Sequence, residues 1–243
     1  MSVSIGKWTK YKLMSKEKKL SEFLPKTQFF SEESLWTMLE QFGCIMIKPC
    51  FGYRGKGIIQ LSVLEEDRIE VHYEFKKLTF NGKSETYEYL MKHFLSKKGR
   101  YIVQKRIPLA TIDNCPFDIR VMVQRKRKSL EWRVTGKLAK VAAKGFFITN
   151  AARKVLSVKE AIDKSTVNEF DSINILEKLD QAAMLTAQHL GSYYKTTRVF
   201  GLDMGIDEKG DIWIIEANLT PSLSMFKLLN DGSYETIKSY KTG

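Results

Sequence analysis

Cysteine is scarce in this chain. Its three residues, Cys44, Cys50 and Cys115, form no CxxC pair, and an odd count without paired spacing argues against both a disulfide framework and a zinc site. Long apolar runs are missing too: no stretch approaches the roughly 18 residues that a membrane span needs. The polar opening MSVSIGKWTKYK lacks the apolar core of a signal peptide. These absences predict a soluble protein of the reduced cytoplasm. No internal repeat or low-complexity linker is visible.

Acidic residues are in deficit. Lys and Arg number 40 against 28 Asp and Glu, a formal net charge of +12, which calls for an anionic partner without choosing among nucleotide, acidic peptide, nucleic acid and anionic membrane. Clusters such as Lys16-Glu17-Lys18-Lys19 and Arg125-Lys126-Arg127-Lys128 read equally well as solvated faces and turns. Core-forming residues are plentiful: 43% hydrophobic and 12% aromatic content excludes bulk disorder. A length of 243 residues suits one large domain or two closely packed lobes.

Periodicity divides the chain into mixed elements. Leu35, Met38, Leu39 and Phe42 recur at helical spacing behind Ser31, an N-cap followed by two acidic residues, so residues 31–42 are expected to be helical. An apolar run from Cys44 to Ile47, a glycine-rich segment and then Ile58 to Val63 read as strand, loop, strand. Arg68 to Phe75 alternates like a further strand. Tyr87, Leu90, Met91, Phe94 and Leu95 mark a helix, and Tyr101 to Gln104 a short strand. Strands are expected at 117–125 and 131–143, an irregular loop around 145–155, and a helix over 172–190 with Gly191 as C-cap. Strands and helices without regular βαβ alternation predict an α+β fold with mainly antiparallel sheets.

The stretch VFGLDMGIDEKGDIWIIEANLTP contains two alternating segments around Asp207-Glu208-Lys209-Gly210, a composition suited to a hairpin turn. With Lys209-Gly210 as the loop, counting outward puts Asp203 opposite Glu216, and Asn218 shares Glu216's face. Directly opposed carboxylates repel unless something neutralises them. Two carboxylates and an amide oxygen make a hard, all-oxygen set suited to Mg2+; the alternative is a solvent-facing strand pair with no ligand. Trp213, Ile214 and Ile215 suggest a strand buried on both faces, where Glu216 needs a partner.

Upstream, Lys48 ends a strand that leads into Phe51-Gly52-Tyr53-Arg54-Gly55-Lys56-Gly57. Backbone N–H groups of such a loop can approach phosphate oxygens closely; equally, the loop can be a plain hairpin turn. It is not a Walker A motif, because no Lys-Ser or Lys-Thr follows Gly57 and the next segment reads as a strand. His72, His93 and His189 have neither ligand spacing nor a motif and are read as structural.

Taken in order, IMIKPCFGYRGKGI, YIVQKRI, FDIRVMV, ITNAAR and GLDMGIDEKGDIWIIEANLTP resemble the ATP-grasp superfamily, and within it the YheC/YheD group of spore-coat-associated proteins, from about Gly6 to Pro221. The resemblance implies two α+β lobes clasping ATP beneath a glycine-rich lid. It also implies Mg2+ as cofactor and a ligase reaction in which a carboxylate becomes an acyl phosphate that an amine or thiol attacks. By resemblance, Lys7, Lys48, Gly52, Tyr53, Arg54, Gly55, Lys56 and Gly57 bind nucleotide phosphates. Gln104, Lys105 and Ile107 lie at the hinge beside adenine. Arg120, Lys140, Asn150 and Arg153 line the reaction centre, and Asp203, Glu216 and Asn218 hold the metal. Residues 1–30 are expected to be the remnant of a mostly absent N-terminal domain, 31–105 the small lobe with the lid, and 106–243 the large lobe with the metal site.

Two departures bear on activity. Tyr53-Arg54 stands in the lid where small residues are usual, and Lys154-Val155 replaces the glycine pair that often follows Arg153 in related enzymes. The rival expectation is a degenerate nucleotide-binding module with a regulatory or spore-coat assembly role. A basic nucleic-acid-binding protein has only the net charge behind it. The partners implied are ATP, a carboxylate substrate and an amine or thiol acceptor such as an amino acid or peptide, and neither a membrane nor a nucleic acid.

Overall fold

A computed structural model describes residues 3–52, 55–95, 99–149 and 152–242. In chain order the elements begin with α1 (Lys7–Met14), α2 (Lys18–Ser21), β1 (Thr27–Phe29), α3 (Glu32–Phe42), β2 (Cys44–Pro49), β3 (Ile59–Val63), β4 (Arg68–Tyr73), β5 (Lys76–Asn81), α4 (Gly82–His93) and β6 (Tyr101–Lys105). After these come β7 (Thr111–Ile112), β8 (Cys115–Gln124), β9 (Arg133–Ala142), β10 (Ala152–Leu156), α5 (Val158–Asp163) and α6 (Ser172–Tyr193). The chain closes with β11 (Val199–Ile206), β12 (Ile212–Asn218), a 3-10 turn (Ser224–Leu228) and α7 (Ser233–Thr242). Two compact units result, one of Gly6–Trp8 with Pro25–Arg106, the other of Met1–Ile5, Thr9–Leu24 and Ile107–Gly243. The first thirty residues are therefore divided between the units and do not stand as a separate piece.

In the smaller unit, six antiparallel strands follow the order β1-β6-β2-β3-β4-β5. Ser31 starts α3 through a reciprocal cap: its Oγ accepts from Ser34 N (3.0 Å), and Ser34 Oγ accepts from Ser31 N (2.9 Å). Gly43 ends that helix at φ +66, a left-handed conformation that a side chain would strain. Leu35, Met38 and Leu39 of α3 and Leu90 of α4 bury the sheet face formed by Ile45, Ile47, Ile59, Leu61, Val71 and Val103. Strand alternation then sends Thr27, Lys48, Gln60, His72 and Gln104 to the opposite face, where all are nonetheless buried. The strand β5 falls on KKLTFN, where the polar/apolar alternation rests on Leu78 and Phe80 alone.

The larger unit carries a second antiparallel sheet, β10-β9-β8-β11-β12, with β7 paired to β8. Phe117, Ile119, Val121, Leu202 and Met204 face the core, where Leu179, Ala183, Ala187 and Leu190 of α6 pack. On the other face Met122 and Leu138 lie beneath Phe226 of the 3-10 turn and Ile237 of α7. The expected loop at 145–155 is in part the edge strand β10, unrecognised because Arg153 and Lys154 interrupt its apolar pattern. Gly191 is no C-cap; α6 continues to Tyr193 and is capped at Tyr194. A Cβ on Gly191 would lie 2.8 Å from Trp132 Cζ2, so the glycine makes room for the indole within the helix. Among the described residues, no helix is long and apolar enough to cross a membrane.

Candidate functional site

Three cross-strand pairs build a charged cluster on the α7-bearing face of the larger unit's sheet. Asp118 of β8 stands opposite Lys140 of β9. Two residues along β8, Arg120 stands opposite Asp203 of β11, which in turn faces Glu216 of β12. Asn218 follows two residues on, opposite Gly201. Gly201 is required there: a Cβ would lie 2.4 Å from Pro221 Cβ and 3.5 Å from Arg120 Cδ.

The Asp203–Glu216 pairing matches the sequence count, but by two offsets that cancel. The turn holds three residues, since Asp207 N donates to Asp211 O (3.0 Å) and Gly210 adopts φ +79. This shifts the register of Met204↔Ile214 by one, and an extra residue between Ile214 and Glu216 shifts it back. The extra residue, Ile215, lets Ile214 enter the core while Glu216 faces the charged cluster. Ile215 and Trp213 are only half-buried, so β12 is not sealed on both faces as the sequence suggested. Lys10 of α1, itself buried, donates to the carbonyl of Ala217, between Glu216 and Asn218.

Asp203 is the hub. Arg120 grips it with two bonds, Nε to Oδ1 (2.9 Å) and a terminal nitrogen to Oδ2 (3.0 Å). Lys140 Nζ donates to Oδ1 (3.0 Å), and Asn218 Nδ2 to Oδ2 (3.1 Å). Lys140 also lies 3.0 Å from Asp118 Oδ1, and Thr149 donates its hydroxyl proton to Asp118 Oδ2. Burial pushes Asp203 upward, but the charges and hydrogen bonds of Lys140 and Arg120 outweigh it and hold the carboxyl at about 2. For Asp118 burial wins: its carboxyl is raised despite Lys140, with Asp203 adding repulsion. Burial opposes the charge on Lys140 and Arg120, but their carboxylate partners raise both cations above their ordinary values.

These cations change the metal expectation. Both oxygens of Asp203 already accept hydrogen bonds, so Arg120 and Lys140 supply the neutralisation assigned to Mg2+ from the sequence. Among the described residues, no group of three or more His, Cys, Asp or Glu is arranged to hold a metal ion. Glu216 and Asn218 retain suitable hard oxygen chemistry, whereas Asp203 is committed to its two cations.

Arg153, expected with Arg120 and Lys140, belongs to different surroundings. A register shift between Ala152 and Lys154 interrupts β10, and Arg153 donates to Asp113 (2.8 Å) and to Ile112 O (3.3 Å). There it helps line an open pocket of about 520 Å3 with Ile112, Asp113, Val141, Lys154 and Lys164. Asn150, Tyr53 and Arg54 lie outside the described residues. Asp118 had a usable signal, its two-residue spacing from Arg120; Thr149 and Lys10 had none.

In the smaller unit, β2 and β3 pair antiparallel up to Ile47↔Ile59, so the glycine segment is their connection. Gly55 and Gly57 take φ +69 and +76. Lys56 is exposed, and a Cβ on Gly52 would crowd Pro49 Cγ at 3.2 Å. Lys7 N donates to Cys50 O (2.9 Å), and its Nζ is 3.5 Å from Gly52 O. Lys48 donates to Gln104 Oε1 (2.6 Å). Lys105 donates its backbone N–H to Lys26 O (2.8 Å) and stacks its ammonium over Phe42; Ile107 is buried in the larger unit.

The fold is that of the ATP-grasp enzymes: VanG D-Ala:D-Ser ligase from Enterococcus faecalis superposes with a TM-score of 0.59 at 16% identity, covering 99% of this chain and 61% of that one. A profile of the YheC/D-like ATP-grasp family matches residues 2–241, and the chain belongs to that family. It is 26% identical over 230 residues to endospore coat-associated protein YheD of Bacillus subtilis, covering 91% of this chain and 49% of the relative. Against endospore coat-associated protein YheC of the same organism the identity is 22% over 220 residues, with coverages of 88% and 59%. The chain thus spans about half the length of the curated relatives it matches.

Proposed function

We propose that this chain is an ATP-dependent ligase that phosphorylates a carboxylate and passes the acyl group to an amine or thiol, with residues 31–105 forming the nucleotide-lid lobe and 106–243 the catalytic lobe. The observation that carries the reading is the convergence of Arg120 and Lys140 on Asp203, beside Glu216 and Asn218. Phosphoryl transfer demands positioning and charge neutralisation more than covalent help. Held by Asp203, the guanidinium and the ammonium are fixed before any anion arrives. A phosphoryl group meeting them needs no rearrangement of solvent to be stabilised.

Lys7, Lys48 and the backbone of Gly52, Gly55, Lys56 and Gly57, with Tyr53 and Arg54 between them, are assigned to the ATP phosphates. The surroundings of Gln104, Lys105 and Ile107 are assigned to the base. Mg2+, when bound, would neutralise phosphate charge from Glu216 and Asn218. Arg153 and Asn150 are assigned to the substrate carboxylate, for which the Arg153-Lys154-Lys164 pocket offers cations. The coat-associated names of YheD and YheC support a spore-associated setting. Release of ADP, screened against amino acids and acidic peptides as acceptors, tests the proposal; ATP binding with no turnover for any acceptor class would reject the ligase assignment.

One observation favours the second reading, a nucleotide-binding module with a role in coat assembly. Arg153 is paired with Asp113 and does not join Arg120 and Lys140. Saturable ATP binding without turnover is the result that reading expects.

A further inference from the structure

The polar face of the smaller unit's sheet contains a directed chain of hydrogen bonds. Thr27 stands opposite Gln104 in the β1–β6 pair. Lys48 Nζ donates to Gln104 Oε1 (2.6 Å), Gln104 Nε2 donates to Thr27 Oγ1 (2.9 Å), and Thr27 Oγ1 donates to Pro25 O (2.8 Å). Thr27, Lys48 and Gln104 are 4%, 7% and 6% exposed, so water does not scramble the arrangement.

The direction follows from the ends. A carbonyl can only accept and an ammonium can only donate. The single hydroxyl proton of Thr27 goes to Pro25, leaving its oxygen as an acceptor toward Gln104. The amide must then present nitrogen to Thr27 and oxygen to Lys48. Rotated by half a turn, it would set two donors against each other at Lys48.

We propose that Thr27 is a positioning residue for Lys48, acting through the Gln104 amide, and that it thereby tunes the grip on nucleotide phosphate. The functional half rests on the nucleotide-binding reading; the structural half does not. Thr27→Val keeps the shape and removes the acceptor, and Thr27→Ser restores it. Thr27→Ala is the substitute if valine impairs folding, with the same expected result.

Two measurements separate the halves. The NMR signal of the Lys48 Cε methylene, assigned by its loss in Lys48→Arg, should move in Thr27→Val and return in Thr27→Ser. The Kd for Mg-ATP should rise roughly threefold to tenfold in Thr27→Val, the size expected for one lost hydrogen bond, and recover in Thr27→Ser. An unmoved Lys48 signal, or serine that fails to restore it, overturns the relay. Equal Mg-ATP affinity in wild type and Thr27→Val overturns its functional role. A Lys48 signal that moves in Thr27→Val, together with a wild type that binds no Mg-ATP, sustains the relay and rejects the nucleotide reading.

Discussion

Arg120 holds both oxygens of Asp203 in a half-buried fork, and its removal should be felt twice. Arg120→Ala is expected to suppress turnover far more than ATP affinity, because its place is assigned at the transferred phosphoryl group; comparing kcat with the nucleotide Kd checks this. The same change leaves Asp203 with less of its compensation and should lower stability by about 3 kcal/mol, read from denaturant melts. The acid side of the stability profile follows from the Asp203 value of about 2. A carboxyl depressed from roughly 3.9 contributes stability that is full above the unfolded value and is lost as pH falls from about 4 toward 2. The contribution is on the order of 2 kcal/mol, and Asp203→Asn should flatten that limb in melts run between pH 2 and 6. Glu216→Gln offers a third comparison. Since Asp203 is neutralised by Arg120 and Lys140, the metal-free protein should melt nearly unchanged while the extra stabilisation by Mg-ATP shrinks. A large loss without metal and an intact Mg-ATP response would make Glu216 a structural carboxylate and remove it from the metal assignment.

Single elements show where local rules suffice and where packing overrides them. Helix α3 was legible because its signals are local: Ser31, two acidic residues and a glycine stop. The strand β10 was not, because its pairing to β9 comes from the far side of a loop and leaves no alternation in Arg153-Lys154. Asp203 and Glu216 could be matched by counting, yet the turn of three residues and the extra Ile215 each displace the count by one in opposite senses. Thr27 was invisible for a related reason, since its role exists only once β1 lies against β6. Helix α6 gives a test of sign. Alanine normally improves a helix interior over glycine by about 1 kcal/mol, but at Gly191 the added methyl would meet the rigid indole of Trp132 at 2.8 Å. Gly191→Ala should therefore destabilise, by about 1–3 kcal/mol, and a gain in denaturation midpoint would show that Trp132 moves aside freely.

At the scale of the molecule, the two units have separate apolar cores, one around Leu35, Ile47 and Val103, the other around Phe117, Leu179 and Phe200. The ordered motifs conveyed the fold because together they cover β2 with the loop after it, β6, β8 and the β11–β12 hairpin in chain order; the division of the first thirty residues left no such mark. If nucleotide binds as proposed, Mg-ATP at about a hundred times its Kd should add roughly 2.7 kcal/mol to folding, seen as a higher Tm; an unshifted Tm together with silent calorimetry would reject nucleotide binding. The tie between Lys10 and the carbonyl of Ala217 spans 207 positions of sequence, which has a meaning for the nascent chain. At roughly 5–20 residues per second, the ribosome reaches β12 on the order of ten to forty seconds after α1 emerges. Through that interval the lysine and the apolar side of α1, Leu13 and Met14, await their lasting neighbours. The larger unit therefore closes around a segment made well before β12, and the wait is the period in which a chaperone has most to protect.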